Sequence, residues 1–580
     1  MRILKYLSLY PLLWLIACNA PEESAPEEAA TAAASTKKEG LIADNAMVVT
    51  AHPIASEVGL EIIRQGGNAY DAGIAVQFAL AVVYPRAGNL GGGGFAVYRK
   101  ADGEAGALDF REKAPIAATA NLYQDEKGEV MRNKSLLGHL AVGVPGTVDG
   151  AFKMHEKLGK LPMEELIQPA IRLASEGFRV TETLANLLNG YKSTIMELNP
   201  DASHIYPDSS KVWEVGDTLR QLDLAATLSR IQLNGRKGFY EGPTADLIVE
   251  EMEEGNGLIT YEDLKKYESV WREPITGNYQ EYKVISMPPP SSGGVALMQL
   301  LKSIEPYPIA EWGHNSVKTV HVMTELERRV YADRATYLGD PDFYDVPVDS
   351  LLSHAYLRNR MSDIRPDKIT PSSEIKEGEV DVIESVQTTH FSIVDTAGNA
   401  LSVTTTLNGY FGSKVIVGGA GFFLNNEMDD FSAKPGVPNQ FGLIGGEANA
   451  IAPQKRMLSS MTPTILEKDG KLFMVLGSPG GSTIITSVFQ TILNVVEHDM
   501  NMQQAVNARR VHHQWLPDRI IMEANPLPAD TVEALEALGH QFETRDGAIG
   551  KLSAILIHWD GKIEGAGDYT RAQDTTPLGF

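Results

Sequence analysis

Two short runs of alternating, β-branched residues between Glu384 and Asn408 constrain this 580-residue chain more than any other stretch. They read Glu384-Ser-Val-Gln-Thr-Thr-His-Phe-Ser-Ile-Val394 and Ala400-Leu-Ser-Val-Thr-Thr-Thr-Leu-Asn408, joined by Asp395-Thr-Ala-Gly-Asn399. Alternation on both sides of a Gly/Asn turn predicts a β-hairpin. Period two sets Thr388, His390 and Ser392 on one face and Thr389, Phe391 and Ile393 on the other. Taken alone, the pattern fits an antiparallel strand with one wet face and one face on the core.

Upstream, Ile54, Val58 and Ile62 keep helical spacing up to a stop at Gln65-Gly66-Gly67-Asn68, and a second helix, dense in Ala and Val, is expected from Asp71 to Val83. The four glycines Gly91–Gly94 allow close backbone approach or positive φ. A phosphate cradle is disfavoured because a strand follows and no Lys-Ser/Thr does. Phe95–Arg99 and Ala107–Phe110 pair across Asp102-Gly103 and deliver Asp109-Phe-Arg-Glu112. From about Gly143 to Lys368 the chain reads mainly as amphipathic helices and loops. Further on, the strand Leu472–Leu476 runs into Gly477-Ser-Pro-Gly-Gly-Ser-Thr483 and then a strongly periodic helix from Ile484 to Val496.

Gln387-Thr388-Thr389-His390, Val403-Thr-Thr-Thr-Leu-Asn408 and Leu424-Asn-Asn-Glu-Met-Asp-Asp-Phe431 together resemble the small-subunit signature of the γ-glutamyltranspeptidases. These are N-terminal-nucleophile hydrolases that cut their own precursor. The resemblance extends from Gly40 to about Gly567 and implies an α+β fold, a four-layer αββα sandwich. It implies cleavage between Gln387 and Thr388, a large subunit over 41–387 and a small catalytic subunit over 388–580, interwoven rather than side by side. Pro288–Gly294 and Glu327–Arg334 resemble large-subunit segments and are read as scaffold. Lys434–Gly446 resembles the family lid, with Phe441 where many bacterial members carry Tyr, so a hydroxyl that would bridge to Asn408 is missing.

The implied chemistry suits these residue types. A threonine hydroxyl needs a base within hydrogen-bond reach. At a new chain terminus that base is the residue's own α-amine, whose pKa of about 8 leaves a useful neutral fraction. While Gln387 is attached the nitrogen is an amide, which explains why a precursor is made. Thr406 falls on the position of the family's supporting threonine. Gly480-Gly481, between strand and helix, can aim two backbone N–H groups at an oxyanion. A γ-glutamyl group carries an α-ammonium and an α-carboxylate. Glu427 and Asp430 fit the first, with a hydrogen bond from Asn408. Arg111, Ser459 and Ser460 fit the second, the Arg fork suiting a carboxylate.

Net charge is −24, which argues against nucleic acid as a partner. The leader carries Arg2 and Lys5, an apolar run over Leu7–Ala17, and then Leu15-Ile16-Ala17-Cys18, which resembles a bacterial lipobox. The expectation is a signal peptide over 1–17, lipid on Cys18 and a flexible tether over 18–40, with export to the periplasm and attachment to a membrane, the outer one by the weak rule that Asn19 invokes. Cys18 is the sole cysteine, so an intramolecular disulfide and Cys-based metal sites are excluded. No metal or organic cofactor is implied. The expected partner is glutathione or a related γ-glutamyl amide, with water or an amino acid as acceptor. A cephalosporin (glutaryl) acylase of the same superfamily is the nearest alternative, and a non-catalytic peptide-binding lipoprotein the alternative from another class.

Overall fold

The computed structural model describes residues 39–200, 205–206, 210–375, 388–524, 526–545, 547–571 and 574–580. Cys18, all but the end of the tether, and Gln387 lie outside the described residues. Two seven-stranded sheets, antiparallel throughout, face each other. One has the order Leu41–Ala43, Ile563–Gly567, Ser553–Ile557, Lys471–Gly477, Thr464–Lys468, Tyr282–Ser286, Ile275–Tyr279. The other has the order Thr576–Gly579, Met47–Thr50, Thr389–Val394, Ala400–Thr406, Gly93–Arg99, Ala105–Asp109, Val270–Arg272. Each sheet mixes strands from before and after residue 388, so the two parts of the chain share both sheets.

Met47, Val49, Val97, Ile285, Ile465, Val475 and Ile555 fill the space between the sheets. Helices Pro53–Arg64 and Ala69–Val83 cover the outer face of the second sheet, against Phe391, Ile393 and Leu401. Helices Gly293–Ile304 and Thr483–Val496 cover the first, and Val317–Tyr337 packs on Gly293–Ile304. This is the αββα sandwich. Ala69–Val83 is buried along its whole length, which is why its sequence shows no polar stripe. It starts two residues before the expected Asp71. Asn68, read from sequence as part of the preceding stop, instead caps it, its Oδ1 accepting the N–H groups of Tyr70 and Asp71 at 2.9 Å.

The hairpin is present, with Thr389 opposite Thr405 and His390 opposite Thr404. Its polar face is not wet. His390, Ser392, Ser402 and Thr404 point between the sheets and are fully buried. They are tolerated there because they satisfy one another and the facing sheet. His390 Nδ1 lies 2.8 Å from Thr404 Oγ1 and Nε2 3.1 Å from Ser392 Oγ. Ser392 and Ser402 donate to the carbonyls of Ser553 and Leu476 at 3.0 Å. Burial pulls the His390 pKa down to about 3, so the ring is neutral. The outer end of the sandwich is closed by a buried ion pair between the sheets, Arg99 Nε to Glu467 Oε1 at 2.5 Å.

The glycine run serves close approach. Gly92 lies so near the Thr404–Thr406 strand that a Cβ there would stand 2.1 Å from the Thr406 carbonyl oxygen. A backbone atom cannot swing away, so Gly92→Ala is expected to destabilise the protein by about 1–3 kcal/mol, read as a lower urea midpoint.

Candidate active site

The site is assembled at one end of the hairpin. Continuing the Thr389–Thr405 register by one residue puts Thr388 opposite Thr406. Both line a narrow cleft shared with Arg111, Asn408, Glu427, Asp430, Ser459, Ser460 and Gly481. Nine of the residues singled out from sequence thus converge although they are far apart in the chain, and Gly480 adjoins them. Larger cavities exist, including one of about 340 Å³ bordered by Asp223, Glu250, Glu251 and Glu254, but none of these nine lines it.

Thr406 Oγ1 accepts the Asn408 N–H at 2.7 Å, so its own hydroxyl proton can be given onward. Asn408, at φ 70°, turns the chain out of the strand, and its Nδ2 donates to Asn426 O at 3.0 Å. Asn89 Nδ2 holds the same strand end through Thr405 Oγ1 at 3.1 Å and Thr406 O at 2.8 Å. On the other wall, the turn before helix Thr483–Val496 has Gly480 at φ 146° and Gly481 at φ 55°, left-handed backbone that favours glycine. A Cβ on Gly481 would meet the Phe441 ring at 2.5 Å. Among the described residues, neither glycine N–H donates to a backbone carbonyl.

Opposite charges are already closed on each other in the cleft. Arg111 Nη1 lies 2.6 Å from Glu427 Oε2, and Nη2 donates to Asp430 Oδ2 at 2.6 Å. Glu112 is a third carboxylate, 3.6 Å from Nη1 and fully buried. Burial raises Glu427 and Asp430 above the usual carboxylate range despite Arg111, and raises Glu112 to about 8. Burial opposes the charge on Arg111, but Glu427, Asp430 and Glu112 outweigh it and keep the guanidinium protonated.

The Lys434–Gly446 loop lies over this cluster and brings Phe441 and Leu443 into the cleft. Both acids of the Asp429-Asp430 pair hold it. Asn439 Nδ2 donates to Asp430 Oδ1 at 3.0 Å, and Gln440 N donates to Asp429 Oδ2 at 2.9 Å. Phe441 lacks a hydroxyl, and its ring instead packs over the Gly481 turn.

Residues 55–578 match the family model described as gamma-glutamyltranspeptidase. The chain belongs to the γ-glutamyltranspeptidase family. It is 46% identical over 534 residues to the glutathione hydrolase proenzyme of Escherichia coli strain K12, covering 92% of both chains. It is 48% identical over 515 residues to that of Pseudomonas sp. strain A14, covering 89% of each. Among solved structures, a cephalosporin acylase from Bacillus halodurans superposes with a TM-score of 0.82 at 26% identity, covering 97% of this chain and 99% of that one.

Two residues that the family resemblance left in the scaffold reach the site. Helix Val317–Tyr337 places Arg334 in the cleft, with Nε 2.9 Å from Ser292 Oγ and Nη2 3.1 Å from Ser460 Oγ. Ser292 Oγ donates in turn to Ser459 O at 2.7 Å. The scaffold reading of Glu327–Arg334 and of Pro288–Gly294 is corrected accordingly. A signal was present. The helix carries Glu325, Glu327, Arg328, Arg329, Asp333 and Arg334 beside the apolar stripe Val320, Met323, Leu326 and Val330, more charges than one solvent face would hold, and all six are buried.

Removing Arg111 strands its carboxylates. Arg111→Gln is expected to cost about 3–5 kcal/mol at neutral pH, as for other broken buried pairs. The raised carboxyl groups bind more protons in the folded than in the unfolded state, so stability falls as pH rises. The deficit should therefore shrink as pH is lowered and the carboxyls protonate, measured by urea unfolding of both forms across that range.

Proposed function

We propose that this family member is a self-processing γ-glutamyl hydrolase/transferase acting on glutathione or a related γ-glutamyl amide. The observation that carries the reading is Thr388 set across from Thr406 in a cleft that also holds a guanidinium, two carboxylates and a glycine turn. In the precursor, Thr388 Oγ attacks the Gln387 carbonyl, the peptide C–N bond breaks and the nitrogen takes the proton. Water then opens the resulting ester. The freed α-amine of Thr388 becomes the base for its own hydroxyl, which the Thr406 O–H steadies.

In turnover, Thr388 Oγ attacks the donor's γ-carbonyl and the N–H groups of Gly480 and Gly481 take the oxyanion. The amine leaves with the proton that the α-amine carried. Water or an amino-acid amine then attacks the γ-glutamyl ester, releasing glutamate or a new γ-glutamyl amide and restoring Thr388. Glu427 and Asp430 receive the substrate α-ammonium, with Asn408 adding a hydrogen bond, while Arg111, Ser459 and Ser460 serve the α-carboxylate. The serine hydroxyls are oriented for this. Ser459 Oγ accepts the Met461 N–H at 3.1 Å and Ser460 Oγ accepts from Arg334, so each O–H proton can donate to an anion.

The glutaryl acylase reading shares nucleophile and fold, and the Bacillus halodurans structure keeps it in view. The higher identity to the glutathione hydrolase proenzymes weighs against it, as do Glu427 and Asp430, because a glutaryl group has no ammonium for them to bind. Wild type is expected to appear as two fragments by intact mass and to release p-nitroaniline from γ-glutamyl-p-nitroanilide much faster than from the glutaryl analogue. Thr388→Ala should remain one chain and release none. An active uncut wild type, or a preference for glutaryl, would contradict the proposal.

Leu15–Cys18 supports export and lipid attachment at Cys18. Wild type should partition with membranes and label with palmitate, while Cys18→Ser should do neither. Equal partition of the two forms would remove the anchor from the reading.

A further inference from the structure

The end of the sandwich opposite Thr388 carries a feature that the acyl-transfer chemistry does not use. Strand Ser553–Ile557 returns into Ile563–Gly567 through a turn that presents Trp559 to solvent, 98% exposed. The turn is fixed by its own hydrogen bonds. His558 N donates to Lys562 O at 2.8 Å, Gly561 N to His558 O at 3.0 Å and Lys562 N to Asp560 Oδ1 at 3.1 Å. Single exposed apolar side chains are ordinary on a protein surface. What distinguishes Trp559 is its neighbourhood. The buried carboxylate of Glu564 lies with Oε2 3.0 Å from His558 Nε2, and its Oε1 accepts the Gly40 N–H at 3.1 Å. Gly40 leads into the edge strand Leu41–Ala43, so this is where the expected tether from Cys18 joins the fold. Ile42 lies directly opposite Glu564 in that pairing and is itself 47% exposed. The entry of the tether and the exposed indole are thus linked through one carboxylate.

We propose that Trp559, with Ile42 beside it, is a membrane-seating surface whose indole enters the interfacial layer of the bilayer that holds the Cys18 anchor. This rests on the lipid-anchor reading above. The 21 residues between Cys18 and Gly40 span about 25 Å as a random coil. The anchor therefore keeps this end of the domain within reach of the surface and makes a weak contact intramolecular. Tryptophan suits that layer, its ring apolar and its N–H able to donate to headgroups. Charge does not supply the attraction. Asp44, Asp560 and Lys562, all exposed, mix both signs around the turn, and the chain's net charge of −24 disfavours an anionic surface. The pairing also sets the orientation. Ala43 pairs with Ile563, and after Asp44–Ala46 the chain continues into Met47, which pairs with Val394. The Trp559 turn therefore shares an end of the sandwich with Val394, and Thr388 stands at the other end of that strand, about 20 Å away. Seating on Trp559 holds the cleft clear of the bilayer.

The test uses the full-length lipid-bearing protein, purified in detergent and reconstituted into phosphatidylcholine vesicles. Part of the phosphatidylcholine is brominated on its acyl chains, and the bromines quench a tryptophan that reaches the acyl boundary. Trp559 is one of the five tryptophans in residues 18–580, so wild type should lose about a fifth of its emission. Trp559→Ser, at a position too exposed to disturb the fold, should lose none. It should still sediment with the vesicles, label with palmitate and turn over γ-glutamyl-p-nitroanilide like wild type. Ile42→Ser should be quenched less than wild type, and adding phosphatidylglycerol should not deepen the quenching. A palmitate-labelled wild type quenched no more than Trp559→Ser would overturn the seating surface while leaving the anchor in place, and would leave Trp559 to a protein partner. Quenching that appears only with phosphatidylglycerol would overturn the apolar contact. A wild type that takes up no palmitate and stays off the vesicles would instead refute the anchor, and the seating surface with it.

Discussion

The pairing of Thr389–Val394 with Ala400–Thr406 is the constraint on which the rest depends. Its register sets Thr388 against Thr406 and turns His390, Ser392, Ser402 and Thr404 inward between the sheets. A slip of one residue would exchange that polar set for Phe391, Ile393 and their neighbours, so burial on both faces enforces a single register. On one side the hairpin is clamped by Met47–Thr50 and on the other by Gly93–Arg99. The glycine run permits that second contact. Thr388, at the start of the hairpin's first strand, is therefore positioned by a hairpin that is paired on both sides.

The cleft is organised by electrostatics as much as by shape. Carboxylates outnumber the guanidinium around Arg111, and burial raises the pKa of each of them. The same acids fasten the Lys434–Gly446 loop, so Asp430 faces the loop through Asn439 and the cleft through Arg111. A ligand that engaged Asp430 would thus compete for the group that holds the loop down. Phe441 adds apolar contact with the glycine turn rather than a hydrogen bond. The asparagines of Leu424–Phe431 have a different task. Asn425 ties Gly91 O and Gly143 O at 2.8 and 2.7 Å, and Asn426 accepts the Gly409 N–H at 2.7 Å, which fixes the loop that presents Glu427 and Asp430.

Much of this was legible beforehand. Alternation about a Gly/Asn turn marked the hairpin, the Ala/Val run marked a helix buried on all sides, and the separated motifs marked Arg111, Asn408, Glu427, Asp430, Ser459, Ser460 and Gly480-Gly481 as one group. Three points were not legible. The polar face of the hairpin looked wet because alternation reports that two faces differ, not which of them meets another sheet. Asn68 looked like a stop because the same residue type suits the end of one helix and the start of the next. Arg334 looked like scaffold because its partners, Ser292 and Ser460, are 42 and 126 positions away.

By itself the chain's order of residues determined the periods, the turns and the residue types able to do acyl-transfer chemistry, since these are local properties of neighbours. Only the tertiary structure decided which charges neutralise each other and which are left facing the cleft. Arg111 and Arg334 are the same residue type, both buried. They differ only in whether folding brings a carboxylate within reach, and that depends on packing between segments hundreds of residues apart, which no local pattern encodes.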